Sequence, residues 1–86
     1  GYSTAMGYST EATATFATAI GVNTVASASY GIAMGASATA SGDYSMALGY
    51  NASTNGHDGA LVYGDFSASG TLTATAANQF SVRAVG

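Results

Sequence analysis

Bulky apolar residues return every 14 positions along the first half of this chain: Met6, Ile20, Met34 and Leu48. Alanine precedes each of them (Ala5, Ala19, Ala33, Ala47) and glycine follows (Gly7, Gly21, Gly35, Gly49). Another copy, Leu61-Val62-Tyr63-Gly64, arrives one residue late. An aromatic column, Tyr2, Phe16, Tyr30 and Tyr44, keeps the same period and stops where Asp58 takes the next slot. Small residues alternate ahead of the aromatics: Ala12-Thr13-Ala14-Thr15, Ala26-Ser27-Ala28-Ser29 and Ala40-Ser41-Gly42-Asp43. Alternation of period two with Ser and Thr predicts strands, not helices. A glycine at a fixed slot predicts a bend that needs a permissive backbone.

Each repeat therefore reads as two short strands joined by two bends. Units this small bury no face alone, so they stack. The predicted fold is all-β: a parallel β-roll or solenoid with 14-residue coils over residues 1–64. Residues 65–86 break the period and are expected to form a terminal coil or cap. Thr71–Thr75 and Phe80–Ala84 alternate as strands, with Phe80, Val82 and Ala84 on one face, and Ser67–Gly70 reads as a turn. A cap suits a solenoid because its last coil exposes unpaired N–H and C=O groups.

The bulky columns bear on assembly. A coil of this length has a narrow interior that alanine and glycine largely fill. One column, Met6/Ile20/Met34/Leu48 or Tyr2/Phe16/Tyr30/Tyr44, is expected inside. The other then forms an apolar stripe outside, joined by Ile32 and Met46 if it is the aliphatic one. A continuous exposed apolar stripe marks an interaction surface, so self-association is expected. A single larger core holding both columns is the alternative.

Composition narrows the function. Of 86 residues only Glu11, Asp43, Asp58, Asp65 and Arg83 carry fixed charge, and there is no Lys, Pro, Cys or Trp. Much of the apolar share is alanine, which is thin for an independent globular monomer. Net charge of −3 is too low for disorder by charge repulsion. Nucleic-acid binding requires clustered Lys and Arg, which are missing. No apolar run reaches the roughly 18 residues of a membrane helix. No basic-then-apolar leader is present, and the chain opens in mid-pattern at Gly1, so it reads as a piece of something longer. The absence of cysteine gives no redox information.

Four Ala-(Met/Ile/Leu)-Gly copies in register, including Ala19-Ile20-Gly21 and Ser45-Met46-Ala47-Leu48-Gly49, resemble the head repeats of trimeric autotransporter adhesins, typified by the YadA head. The resemblance spans about residues 2–64. It implies a left-handed parallel β-roll, a three-fold homotrimer with apolar columns at the shared axis, display on a bacterial surface and adhesion to host matrix or cells. The ending from Ala76 to Gly86 looks instead like segments that follow such repeats in phage tail fibres and in bacterial fibre proteins with a C-terminal chaperone.

Site chemistry is sparse. His57 is the lone histidine, and no Gly-x-Ser-x-Gly elbow exists to present a serine nucleophile. Asn55-Gly56-His57-Asp58-Gly59 has turn composition. A metal on His57, Asp58 and Asp65 would have suitable ligand types but only weak spacing support. Asn51-Ala52-Ser53 is a formal glycosylation sequon. Arg83 is expected to meet a carboxylate across chains, such as Asp65, or to guard a strand edge. Thr13, Thr15, Thr71, Thr73 and Thr75 suggest an ice-binding array, but Ser27, Ser29, Ser41 and Asp43 break it. No catalytic residue, cofactor or metal is assigned.

The function expected is a non-enzymatic structural and adhesive module of a trimeric extracellular fibre. Alternatives are a phage tail-fibre receptor-binding segment and a self-assembling filament subunit, which places the chain at a cell surface or on a virion. Any receptor contact is expected at Tyr8, Tyr50, His57 and Tyr63, polar aromatics near bends, where binding residues concentrate.

Overall fold

A computed structural model describes residues 2–66 and 70–84. Its described strands alternate between two parallel sheets, a long one and a short one. The long sheet runs β1 (Thr4–Tyr8), β3 (Thr18–Val22), β5 (Ile32–Ala36), β7 (Met46–Tyr50), β9 (Leu61–Gly64) and β11 (Phe80–Arg83). The short sheet runs β2 (Glu11–Ala12), β4 (Val25–Ala26), β6 (Thr39–Ala40), β8 (Ala52–Ser53) and β10 (Leu72–Thr73). Each coil contributes one strand to each sheet, so this is the predicted β-solenoid.

Register follows the sequence columns. Ala5, Ala19, Ala33, Ala47 and Val62 pair in line across the long sheet. They point inward; Ala19, Ala33, Ala47 and Val62 are fully buried. Ala26, Ala40 and Ala74 close the interior from the short sheet, beside Ala38 and Ala52. The core is alanine with one valine, Val62. Alanine keeps the two sheets close, and no bulky column fits between them. Met6, Met34, Phe16, Tyr30 and Tyr44 all stay exposed. The expectation of one bulky column inside is thereby corrected, and both lie outside.

Apolar burial per alanine is small, so the backbone ladders carry much of the order. They continue through the bends: Asn23 N–H donates to Tyr8 O, Ser37 N–H to Val22 O, and Asn51 N–H to Ala36 O. These bend residues, with Ser9, adopt φ of 52–56°. Asn tolerates this left-handed region better than most residues.

Gly7, Gly21, Gly35 and Gly49 lie inside their strands, one step before each strand's end. The chain turns just afterwards, at Ser9, Asn23, Ser37 and Asn51, so the glycines are not the bend residues expected of them. Their φ of 98–128° is closed to side chains. A Cβ on Gly35 would stand 2.1 Å from the Gly49 carbonyl oxygen. Stacked glycines thus let one coil's carbonyl sit against the next coil's Cα.

The second bend carries the aromatics. Ala17 N–H donates to Ala14 O, Gly31 N–H to Ala28 O and Ser45 N–H to Gly42 O, closing four-residue turns. Phe16, Tyr30 and Tyr44 occupy the third position with φ of 58–61°, normally a glycine position. In the next coil Thr54-Asn55-Gly56-His57 forms a turn with both central residues at positive φ, the type I′ pattern. It absorbs the one extra residue, so Leu61 still pairs with Met46 and Gly64 with Gly49.

The last coil is wider. Phe80 pairs with Leu61 and Leu72 with Ala52, so residues up to Arg83 continue the same two sheets. Arg83 stands where the glycine column would continue, opposite Gly64. Its guanidinium donates to the carbonyls of Tyr50, Asp65 and Gly70 and lies 3.6 Å from the Asp65 carboxylate. The Asp65 pairing therefore occurs within one chain. The predicted Ser67–Gly70 turn falls mostly outside the described residues.

Candidate interaction surface

Strand alternation turns two columns of the long sheet outward: Thr4, Thr18, Ile32, Met46, Leu61, Phe80, and Met6, Ile20, Met34, Leu48, Tyr63, Val82. Both faces of this sheet are therefore apolar, one with small residues and the other with large ones. Met6 is 58% exposed, Met34 40% and Phe80 69%. Ile20, Ile32, Met46 and Leu48 are half-buried by their neighbours in the column. Contiguous apolar columns of this kind mark a surface awaiting a partner. Each large side chain transferred fully from water is worth about 1.5–3 kcal/mol, and these half-buried ones about half that.

The short sheet is different outside. Thr13, Ser27, Thr39, Ser53 and Thr73 face outward with Glu11 and Val25. Hydroxyls and very little charge cover this face.

Between the sheets runs the aromatic ladder. Tyr2 and Phe16 have ring centroids 5.7 Å apart, Phe16 and Tyr30 5.2 Å, and Tyr30 and Tyr44 4.9 Å. The last pair is nearly parallel, at 3°. The left-handed backbone costs each bulky residue on the order of 1–2 kcal/mol. Each stacked pair returns about 0.5–1.5 kcal/mol beyond area burial. The two terms nearly offset.

The four receptor candidates do not form one site. Tyr8 and Tyr50 share a column on the long sheet but stand three coils apart, with Val22 and Ala36 between. Tyr50 packs edge-on against Phe66, with centroids 4.8 Å apart. Tyr63 belongs to the apolar outer face, in line with Leu48. His57 is half-buried in the turn after Gly56. Among the described residues no group of three His, Cys, Asp or Glu converges to hold a metal. Asp58 instead accepts the Asp43 N–H at 2.9 Å, and Asp43 accepts the Ser29 N–H at 3.2 Å. Their carboxylates satisfy turn amides from coil to coil.

One structural column was missed in the sequence: Ser9, Asn23, Ser37 and Asn51, at the same spacing, mark the first bend. Their small polar side chains were its only signal.

The YadA head domain repeat matches this chain twice, over residues 1–24 and 26–52, more than half of its length. The chain belongs to the YadA head repeat family. No curated protein and no solved structure gives a match. The two YadA head repeats span β1 to β7, where the 14-residue register is strict. The wider last coil lies beyond them.

Proposed function

We propose that this chain is a non-enzymatic head module of a homotrimeric adhesin displayed on a bacterial surface. Three copies set the outer faces of their long sheets around a common axis, and the hydroxyl-rich short sheets face outward to meet host or surface receptors. Membership of the YadA head family supports the assembly. The observation that carries it is the pair of apolar columns left uncovered on the long sheet, Met34 and Phe80 among them. A monomer leaves those side chains in water, and a trimer removes them from it.

Sedimentation equilibrium tests the assembly: a mass of three chains is expected, and a monomer across the micromolar range overturns it. Beads coated with the trimer are then expected to bind immobilised matrix proteins or cells above uncoated beads.

A further inference from the structure

The aromatic ladder breaks at one rung, and the break leaves a ring face open. Backbone pairing identifies the rungs. Tyr44 N–H donates to Ser29 O, Gly59 N–H to Asp43 O, and Asn78 N–H to Asp58 O. Gly59 is therefore the rung after Tyr44, and Asn78 the rung after that. All three have φ between 59 and 71°. The ladder runs Tyr2, Phe16, Tyr30, Tyr44, then a rung with no side chain, then Asn78.

One face of Tyr44 is stacked on Tyr30. The other meets no ring, and exposure rises from 47% at Tyr30 to 69% at Tyr44. Two coil steps, roughly 9–10 Å, separate the Tyr44 and Asn78 rungs, room for one saturated ring between them. The Asn78 side chain turns back and fills the inner end of this space, since its Oδ1 would lie 2.2 Å from a Cβ placed on Gly59, so a sugar ring lies farther out, against the Tyr44 ring. Asp58, on the neighbouring turn position of the Gly59 coil, is exposed and uses one oxygen on the Asp43 backbone amide, which leaves the other free for a ligand.

We propose that this broken rung is a binding subsite for a neutral pyranose sugar. The ring face of tyrosine is the negative end of its quadrupole and attracts the polarised C–H face of a sugar. A carboxamide offers both donors and acceptors, and a carboxylate accepts from hydroxyls. The Asp58 carboxylate selects against acidic sugars by like-charge repulsion. This deepens the adhesin reading by naming a ligand class, and it stands on different residues from the trimer face.

Saturation-transfer NMR on the whole chain with lactose and maltotriose tests it. Sugar is supplied at about 10 mM, so that a dissociation constant as weak as ~1 mM is still saturated. Transfer to the sugar ring protons is expected, with 3′-sialyllactose at least threefold weaker than lactose. Tyr44→Asn keeps a residue suited to positive φ and removes the platform, so at least tenfold loss is expected. Phe16→Asn removes a covered rung and should leave binding unchanged. Should Tyr44→Asn fail to fold, the wild-type chain decides alone: Tyr44 ring resonances shift on titration and those of Tyr30 do not. No transfer from either neutral sugar, equal loss in Phe16→Asn, or equal binding of sialyllactose overturns the proposal. A trimer that ignores sugars sinks the subsite and leaves the adhesin reading intact. A monomer that binds them does the reverse.

Discussion

The two sheets are built from the same chain in the same stack, yet their outer faces differ in kind. Every coil gives the long sheet about five residues and the short sheet two. Inside, both present alanine. Outside, the long sheet carries Met, Ile, Leu and aromatics, whereas the short sheet carries Thr, Ser and Glu11. The fold needs only the inner alanines and the backbone ladders. The apolar outer face of the long sheet lies outside the coil's own interior, and it is the face that the proposed trimer covers. The glycine column strengthens the contrast, because only the long sheet has one. It lets backbone meet backbone in the sheet that bears the large side chains.

The contrast can be broken at that column first. Gly35→Ala drives a Cβ into the Gly49 carbonyl. A loss of more than ~3 kcal/mol in urea unfolding is expected, from backbone strain and the forced shift together. Gly56, also at positive φ but with open space around it, should lose only about 1 kcal/mol on the same change. Similar losses at the two sites would remove the long sheet's special status.

Charge on each outer face comes next. Met34→Glu with Leu48→Glu should weaken association by at least ~100-fold in sedimentation, because a carboxylate buried without a partner is costly. Thr39→Glu on the short sheet should leave the mass unchanged. If Thr39→Glu dissociates the assembly instead, the faces have been assigned the wrong way round.

A smaller effect concerns the interior of the short sheet. Thr24 is fully buried, and its Oγ1 has no hydrogen-bond partner among the described residues. Thr24→Val keeps the shape and removes the stranded hydroxyl, so a gain of about 1 kcal/mol is expected in thermal melts. A loss would mean that the hydroxyl has a water or a partner chain to bond.

The smallest change falls on the ladder between the sheets. Phe16→Asn gives up two ring contacts, with Tyr2 and Tyr30, for relief of left-handed strain, and stability should move by no more than about 1 kcal/mol. A large loss would show that stacking outweighs backbone strain.

Much of this was legible before any coordinates. Ala19-Ile20-Gly21 and its copies placed the long strands, because a stacked coil repeats its side-chain demands at every turn. The alternating runs from Ala12, Ala26 and Ala40 predict strand, but the short strands end at those alanines and the rest of each run forms the second bend, since alternation of small residues does not distinguish a strand from a turn. The inner or outer position of the bulky columns was not legible. Alternation assigns Ala19 and Ile20 to opposite faces but does not say which face closes. Counting by 14 puts Asp58 in the next slot of the aromatic column, because it cannot see the extra turn residue that gives that slot to Gly59. Tyr8, Tyr50, His57 and Tyr63 stand out in the sequence by residue type alone, which carries no information about distance.

What the sequence alone determined was the period, the parallel stacking and the strand register, because each depends on identical residues meeting one coil apart. Tertiary structure decided which face became the interior. It also decided how the extra residue was absorbed and which ring face stayed open. Those outcomes depend on how closely two sheets approach and on where one carbonyl or Cβ would collide, and no residue's identity states that by itself.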